Sequence, residues 1–432
     1  MKSQMLLKRV FTYFLISLST PSLSSSINIV FNSPVNKIGP INGCSTDICK
    51  SLTQLINSSK KSIDFAIYGL RGQDEILNAL MNAKNRGVKV RGVIDKGVDG
   101  KSYYSDTHLI EKNFHNTKSD YQQDIKTSRY FSKKKKYKDG CVRPTGHKGP
   151  LQCFEGRGYA AKDDFSFKGD IMHNKFFIVD SKYVWTGSAN ISDTGTGGYN
   201  ANVVALIESE FIASKYLIEF EQMFVDGKFH RAKKKLKKTK LQTHINGQEV
   251  NIYFSPQGYA MYRGVIPLIR EARDSIDISI FFLTHKNVSK ELVKAKNRGV
   301  SIRIILDATA ASNGYSKHNY LRDNGIPVKV ENWGGKMHMK SAIIDKKHLI
   351  VGSMNWTGAG ESKNDENTLI IKNFKDSPKY QRFYNLMWNS IPDKWLREDP
   401  MPESKDSSTS CYDGVDNNFD GRIDIKDPNC IN

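Results

Sequence analysis

The chain has 432 residues, with 65 lysines and arginines against 45 aspartates and glutamates, a formal net charge of +20 at pH 7 and a pI of ≈ 9.4. That length allows two buried cores, and the charge favours polyanionic partners, nucleic acid first and anionic membrane surfaces second. A mean hydropathy of −0.51 and the lack of any long apolar run after the N-terminus argue against an integral membrane segment.

Residues 1–24 read as a secretory signal peptide. Lys2, Lys8 and Arg9 precede the apolar stretch Val10 to Leu18, and Ser22-Leu23-Ser24 offers small residues for a signal peptidase. The expected location is therefore secreted, periplasmic or extracellular. Six cysteines suit an oxidising compartment and fall into local pairs: Cys44 with Cys49, Cys141 with Cys153, Cys411 with Cys430. Other connectivities stay open. Metal binding is the alternative for a cysteine pair, but none has the His or Cys neighbours of a tetrahedral set.

From about residue 27 to about residue 392 the chain repeats itself. Ile63-Asp64-Phe65-Ala66-Ile67 returns as Ile276-Asp277-Ile278-Ser279-Ile280, and Ala83-Lys84-Asn85-Arg86-Gly87-Val88 returns letter for letter at Ala295 to Val300. Short β-rich runs alternate with helical stretches such as Asp74 to Asn85, which predicts an α/β fold. The expected architecture is two tandem halves, 25–225 and 247–392, each a β-sheet flanked by helices, packed about a pseudo-two-fold axis. A basic linker, 226–246, containing Arg231 to Lys240, joins them.

The first half carries an insert. Asp95 and His173 are 78 residues apart, whereas the repeat-equivalent Asp307 and His338 are 31 apart, so about 47 extra residues fall roughly between Gly100 and Lys168. Within them, Arg129 to Lys138 interleaves Tyr130, Phe131 and Tyr137 with lysines. A lysine run is commonly just a solvated segment. In a chain this basic it also suits a polyanion, with aromatic rings for unpaired bases.

The motifs that carry chemistry are also duplicated. His173-x-Lys175-x4-Asp180 followed by Gly187-Ser188-x-Asn190 recurs as His338-x-Lys340-x4-Asp345 followed by Gly352-Ser353-x-Asn355. On an extended strand, residues two apart project to one face, so each His stands beside a cation. Asp180 and Asp345 fall on the opposite face, which suits a supporting role. The Gly-Ser-x-Asn turns offer donors for phosphate oxygens through Ser188, Asn190, Ser353 and Asn355. Two such sets in register imply one composite site.

These motifs resemble the HKD motifs of the phospholipase D superfamily, and the resemblance covers nearly the whole repeat. It implies a phosphodiesterase with two catalytic histidines and no cofactor for catalysis. One His attacks phosphorus to form a phosphohistidine; the other protonates the leaving alkoxide and then activates water. It assigns catalytic positions to His173, Lys175, Asp180, His338, Lys340 and Asp345, with the first-half His as nucleophile. A carboxylate downstream commonly orients the His. Glu366 stands at the matching distance from His338, whereas the register-equivalent of Glu366 after His173 is Ala201, flanked by Asn200 and Asn202. The partner of His173 is thus left open, with Asn202 or an acid elsewhere in the chain as the candidates.

After residue 403 a small tail closes the chain. Cys411 and Cys430 bracket Asp416, Asn418, Asp420, Arg422, Asp424 and Asp427, with Gly421 at the sixth loop position. The spacing resembles an EF-hand calcium loop, Arg422 contributing its carbonyl, with Asp427 in place of the usual Glu. A calcium-binding, disulfide-closed tail of structural or targeting role is expected at 403–432.

The favoured reading is a secreted, monomeric nuclease acting on DNA or RNA. The alternatives are a phospholipase D acting on phosphatidyl lipids, with association to an anionic membrane surface, and an inactive DNA- or membrane-binding relative.

Overall fold

The computed structural model describes residues 25–126, 141–142, 152–153, 170–235, 241–407 and 409–431. The signal peptide, the run Arg129 to Lys138 and the end of the basic linker lie outside the described residues. Among the described helices, none is long and apolar enough to cross a membrane.

Two mixed sheets carry the fold. The first runs Ser26–Asn32, Asn202–Glu208, Tyr183–Gly187, Lys175–Val179, Ser62–Ile67, Lys89–Ile94, Thr117–Ser119 in spatial order. The second repeats that order as Gln248–Ser255, Glu366–Lys372, His348–Gly352, Lys340–Ile344, Ser275–Ile280, Ser301–Leu306, Val328–Val330, and adds Gln242–Ile245 as an outer edge strand. The central strands are buried along nearly their whole length because both faces are covered. Phe176 and Ile178 point into a core shared by the two halves, while Phe177 and Val179 face the first half's own helices. That shared core also takes Tyr216 and Phe220 from helix Glu210–Phe224, and Tyr380 and Tyr384 from helix Ser377–Ser390.

Equivalent edge strands move the boundary of the insert. Thr117–Ser119 and Val328–Val330 occupy the same place in their sheets. Ser119 is 54 residues from His173 but Val330 only 8 from His338, so the extra chain enters after Ser119 rather than near Gly100. Disulfides join Cys44 to Cys49 and Cys411 to Cys430. The main chain of Cys141 pairs opposite Cys153.

The halves meet along a short seam. Met172 bridges Asp365 and Ala201 bridges Met337, both parallel. The His173 amide donates to the Asp365 carbonyl at 2.9 Å, and the His338 amide to the Ala201 carbonyl at 3.1 Å. Each motif histidine is therefore held by the main chain of the other half.

Candidate active site

The catalytic strands start at Lys175 and Lys340, with each histidine just before its strand, on the seam. His173 and His338 are 8% and 7% exposed, which leaves an edge of each ring reachable, while Lys175 and Lys340 are buried. Each ammonium donates back to its own motif: Lys175 Nζ to the His173 carbonyl at 2.8 Å, Lys340 Nζ to the His338 carbonyl at 2.6 Å.

The orienting groups cross between halves. His173 Nδ1 lies 2.8 Å from Glu366 Oε1, and His338 Nδ1 lies 3.2 Å from Asn202 Oδ1. The expectation that Glu366 serves His338 is thus corrected, and His173 gains its missing partner. The assignment of Ala201 as the counterpart of Glu366 is also corrected. Gly187 pairs with Val204 and Gly352 with Thr368, so Asn202 occupies the place of Glu366. One extra residue in the first-half loop shifts the count.

Ser188 and Ser353 do not serve as free phosphate donors. Ser353 Oγ donates to Glu366 Oε2 at 2.6 Å and Ser188 Oγ to Asn202 Oδ1 at 2.9 Å, fixing the groups that orient the rings. Their neighbouring glycines are required by close approach: a Cβ on Gly187 or Gly352 would lie 2.2 Å from a carbonyl oxygen of the next strand. Asn190 donates to the Tyr104 hydroxyl at 2.9 Å. Asn190 and Asn355 each keep a buried Oδ1 with no hydrogen bond among the described residues.

Asp180 and Asp345 leave the catalytic set. Each opens a hairpin turn in the left-handed region, with φ of 53° and 52°, where Asp is tolerated. The Asp180 carboxylate accepts the amides of Lys60, Lys61 and Ser62, and Asp345 those of Arg273, Asp274 and Ser275. Burial acts in the opposite direction, but these amides hold both carboxyls below the usual range.

Burial sets the electrostatics of the centre. It pushes the Lys175 ammonium down to about 7, and drives Lys340, with the Lys175 charge beside it, well below the ordinary lysine range. Burial followed by the charges of Lys340 and Lys175 keeps His338 well below the ordinary imidazole range. Glu366 is pushed up to about 8 by burial. The site is short of negative charge, which an arriving phosphate would supply.

Aromatic walls escaped the sequence reading. Tyr68 meets His173 edge-on at 5.2 Å between centroids, and Phe281, its repeat-equivalent, lies 5.1 Å from His338. Their only sequence signal is position: each follows a repeated strand by one residue. Tyr68 also stacks on Tyr103, which is exposed.

The tail docks beside this centre. Tyr199 donates to Asp413 Oδ2 at 2.5 Å, and Lys336 Nζ donates to the Asn417 carbonyl at 2.7 Å with Phe419 beneath it. Asp416, Asn418 and Asp420 accept amides within the loop, as the turn at Gly421, φ 89°, requires. Asp424, however, accepts the amides of Asp413 and Gly414, and Asp427 accepts from Asn418 Nδ2 and the Asn429 amide. Of the expected ligands Asp416, Asn418, Asp420, Arg422, Asp424 and Asp427, no three carboxylates among the described residues bring oxygens within 4.8 Å of one another.

Duplicated His-x-Lys sets on two like α/β halves define a phosphodiesterase of the two-histidine class. A family model described as "Cardiolipin synthase, PLD-like domain" matches residues 52–224 and 265–388, and the chain belongs to the phospholipase D superfamily. A mitochondrial cardiolipin hydrolase from Chlamydomonas reinhardtii is 32% identical over 118 residues, 27% of this chain and 53% of that protein, so the chain spans about half the length of this relative. A phospholipase D from Rickettsia conorii is 34% identical over 138 residues, 32% of this chain and 68% of its own. The solved phosphatidylserine synthase of Haemophilus influenzae superposes with a TM-score of 0.50 over 79% of this chain and 83% of its own at 14% identity, a likeness of fold.

Proposed function

We propose that the protein is a secreted nuclease that hydrolyses phosphodiester bonds of DNA or RNA through a phosphohistidine, without a catalytic metal. The observation that carries the mechanism is the crossed pairing of Glu366 with His173 and Asn202 with His338. His173 Nε2 attacks phosphorus while Nδ1–H donates to the Glu366 carboxylate, which offsets the positive charge left on the ring. His338, which burial keeps neutral in the free enzyme, takes up a proton as the anionic phosphate enters; with only a neutral amide behind it, it is the stronger acid and gives that proton to the leaving alkoxide. It then takes a proton from water as that water attacks the phosphohistidine and releases His173. Lys175 and Lys340 hold the non-bridging oxygens, where charge grows in the transition state.

The preference for a polynucleotide is supported by the net charge of +20 and by the Tyr103–Tyr68 stack, an exposed aromatic ledge leading to His173. A lipid substrate is the second reading, favoured by the names of the two relatives. Plasmid DNA, RNA, phosphatidylcholine vesicles and cardiolipin vesicles offered side by side in chelator separate them. Cleavage of the nucleic acids, lost in H173N and H338N, is the expected result. Lipid hydrolysis with intact DNA and RNA overturns the substrate choice, and immediate loss of all activity on adding chelator overturns the mechanism.

A further inference from the structure

Behind His173 lies a second cluster that the mechanism does not use. Asp120 and Asp124 stand four residues apart on one helical turn, the Asp124 amide donating to the Asp120 carbonyl at 3.0 Å, so both carboxylates face the same way. His230, from the segment joining the halves, points Nε2 at them. All three side chains are buried, His230 being 3% exposed and the aspartates fully covered.

The distances are informative. His230 Nε2 is 3.4 Å from Asp120 Oδ2 and 3.3 Å from Asp124 Oδ1. A charge-assisted N–H···O bond closes to about 2.7–2.9 Å. Both contacts are longer than that, and Asp124 Oδ2 is buried without a partner among the described residues. Ligands at about 2.0–2.1 Å from a tetrahedral ion are instead about 3.3–3.4 Å from one another. The other ring nitrogen, Nδ1, faces Asp365 Oδ2 at 3.1 Å. A carboxylate behind the second nitrogen is the usual arrangement for a metal-bound imidazole.

Charge points the same way. Asp120, Asp124, Asp365 and Glu219 are buried together; among the described residues they are answered by Lys233, which pairs with Glu219 and lies 2.7 Å from Asp365, and by His230 when it is protonated. A divalent cation would neutralise the surplus that buried carboxylates rarely carry unpaired.

We propose that Asp120, Asp124 and His230 form a structural site for a divalent transition metal, with zinc the best match to one imidazole and two carboxylates, the imidazole standing at tetrahedral ligand spacing from each. The site would clamp the start of the insert to the linker and brace the catalytic seam. Asp120 Oδ2 accepts the Met172 amide at 3.2 Å, next to His173, and Asp365 precedes Glu366. The cluster reaches the catalytic pair through these main-chain neighbours, so its role is to position His173 and Glu366.

The test is metal content of the full-length protein, purified without added metal and briefly washed with chelator. About one equivalent of zinc per chain is expected, retained in the tail variant D416N/D420N and lost from D124N and H230Q. Cobalt exchanged into the wild type should give the intense visible bands of a tetrahedral site. Prolonged chelation should lower the melting temperature before it lowers the initial rate. Should either variant fail to fold, the wild-type stoichiometry and cobalt spectrum still decide. Wild-type protein with only trace metal, no thermal shift on adding zinc, cobalt or manganese, and a doubly protonated His230 by nitrogen NMR would make the cluster an ion-pair network and overturn the proposal.

Discussion

Replacing Glu366 with Gln isolates what its charge contributes. The amide oxygen of Gln still accepts from His173 Nδ1 at the place of Oε1, now 2.8 Å away, so the ring keeps its tautomer and orientation. What is lost is the charge that offsets the cationic phosphohistidine. A hydrogen bond to a charged group is worth about 1.5–3 kcal/mol, so kcat should fall roughly 10- to 150-fold with little change in KM. Leaving-group dependence sharpens the assay. With p-nitrophenyl phosphodiesters the leaving group needs no proton, so N202A, which disturbs only the acid His338, should form phosphoenzyme at nearly the wild-type rate. E366Q should be slow on activated and unactivated substrates alike. The pH profile adds an independent reading. Glu366, pushed up to about 8 by burial, must lose its proton to serve as a counter-charge, while His338 and Lys175, held low by burial, must carry theirs, so kcat/KM should be bell-shaped in the wild type and lose its acid-side limb in E366Q. An E366Q enzyme within twofold of wild type on both substrates, or N202A as slow as E366Q on the p-nitrophenyl ester, would refute the assignment of His173 as nucleophile.

Binding of a phosphate analogue such as tungstate near pH 8 should take up protons, because the anion recharges two lysines that burial pushes down, Lys175 to about 7 and Lys340 well below the ordinary lysine range; calorimetry in two buffers should show this uptake fall in K175M. D180N and D345N should lower the melting temperature while leaving kcat unchanged. Because the folded-state pKa of each carboxyl is depressed, its stabilisation is complete above the unfolded carboxylate pKa and is lost as pH falls through the folded value, so the variants should converge with wild type in acid. Y103A should weaken binding of single-stranded oligonucleotides by about 1–3 kcal/mol if one base stacks there, measured by fluorescence anisotropy, and an unchanged affinity would remove the ledge from the substrate path.

The duplicated strands, the paired halves and the histidine-lysine sets were legible in the sequence because the same chemistry and the same covered sheet impose the same letters twice. Partnership across the seam was not. Counting from each histidine assumes that an orienting group serves its own half, and the parallel bridges at Met172 and Ala201 reverse that assumption. Counting also fails by one residue at Asn202, where strand pairing rather than sequence distance fixes equivalence. The serines looked like phosphate donors because a hydroxyl near a histidine carries no sign of its direction. Asp180 and Asp345 were placed by parity alone, which gave the right face but not the three amides that occupy each carboxylate. Asp120, Asp124 and His230 lie too far apart in the chain for any local pattern to join them.

Exchange of orienting groups across the seam has a consequence for how such a centre can diverge. If two identical chains built it, every substitution would appear twice, and both histidines would keep the same companion. Joined in one chain, the two halves can accept different companions, a carboxylate for one ring and an amide for the other. Symmetry between the rings is then lost before any substrate arrives, and the division of labour between them is inherited with the covalent link. A chain cut between residues 235 and 241 would leave fragments that each hold one histidine and the other histidine's companion. Neither could work alone, and a second-half fragment carrying H338N would stay inactive beside an intact first half, which holds the companion of that ring but not the ring.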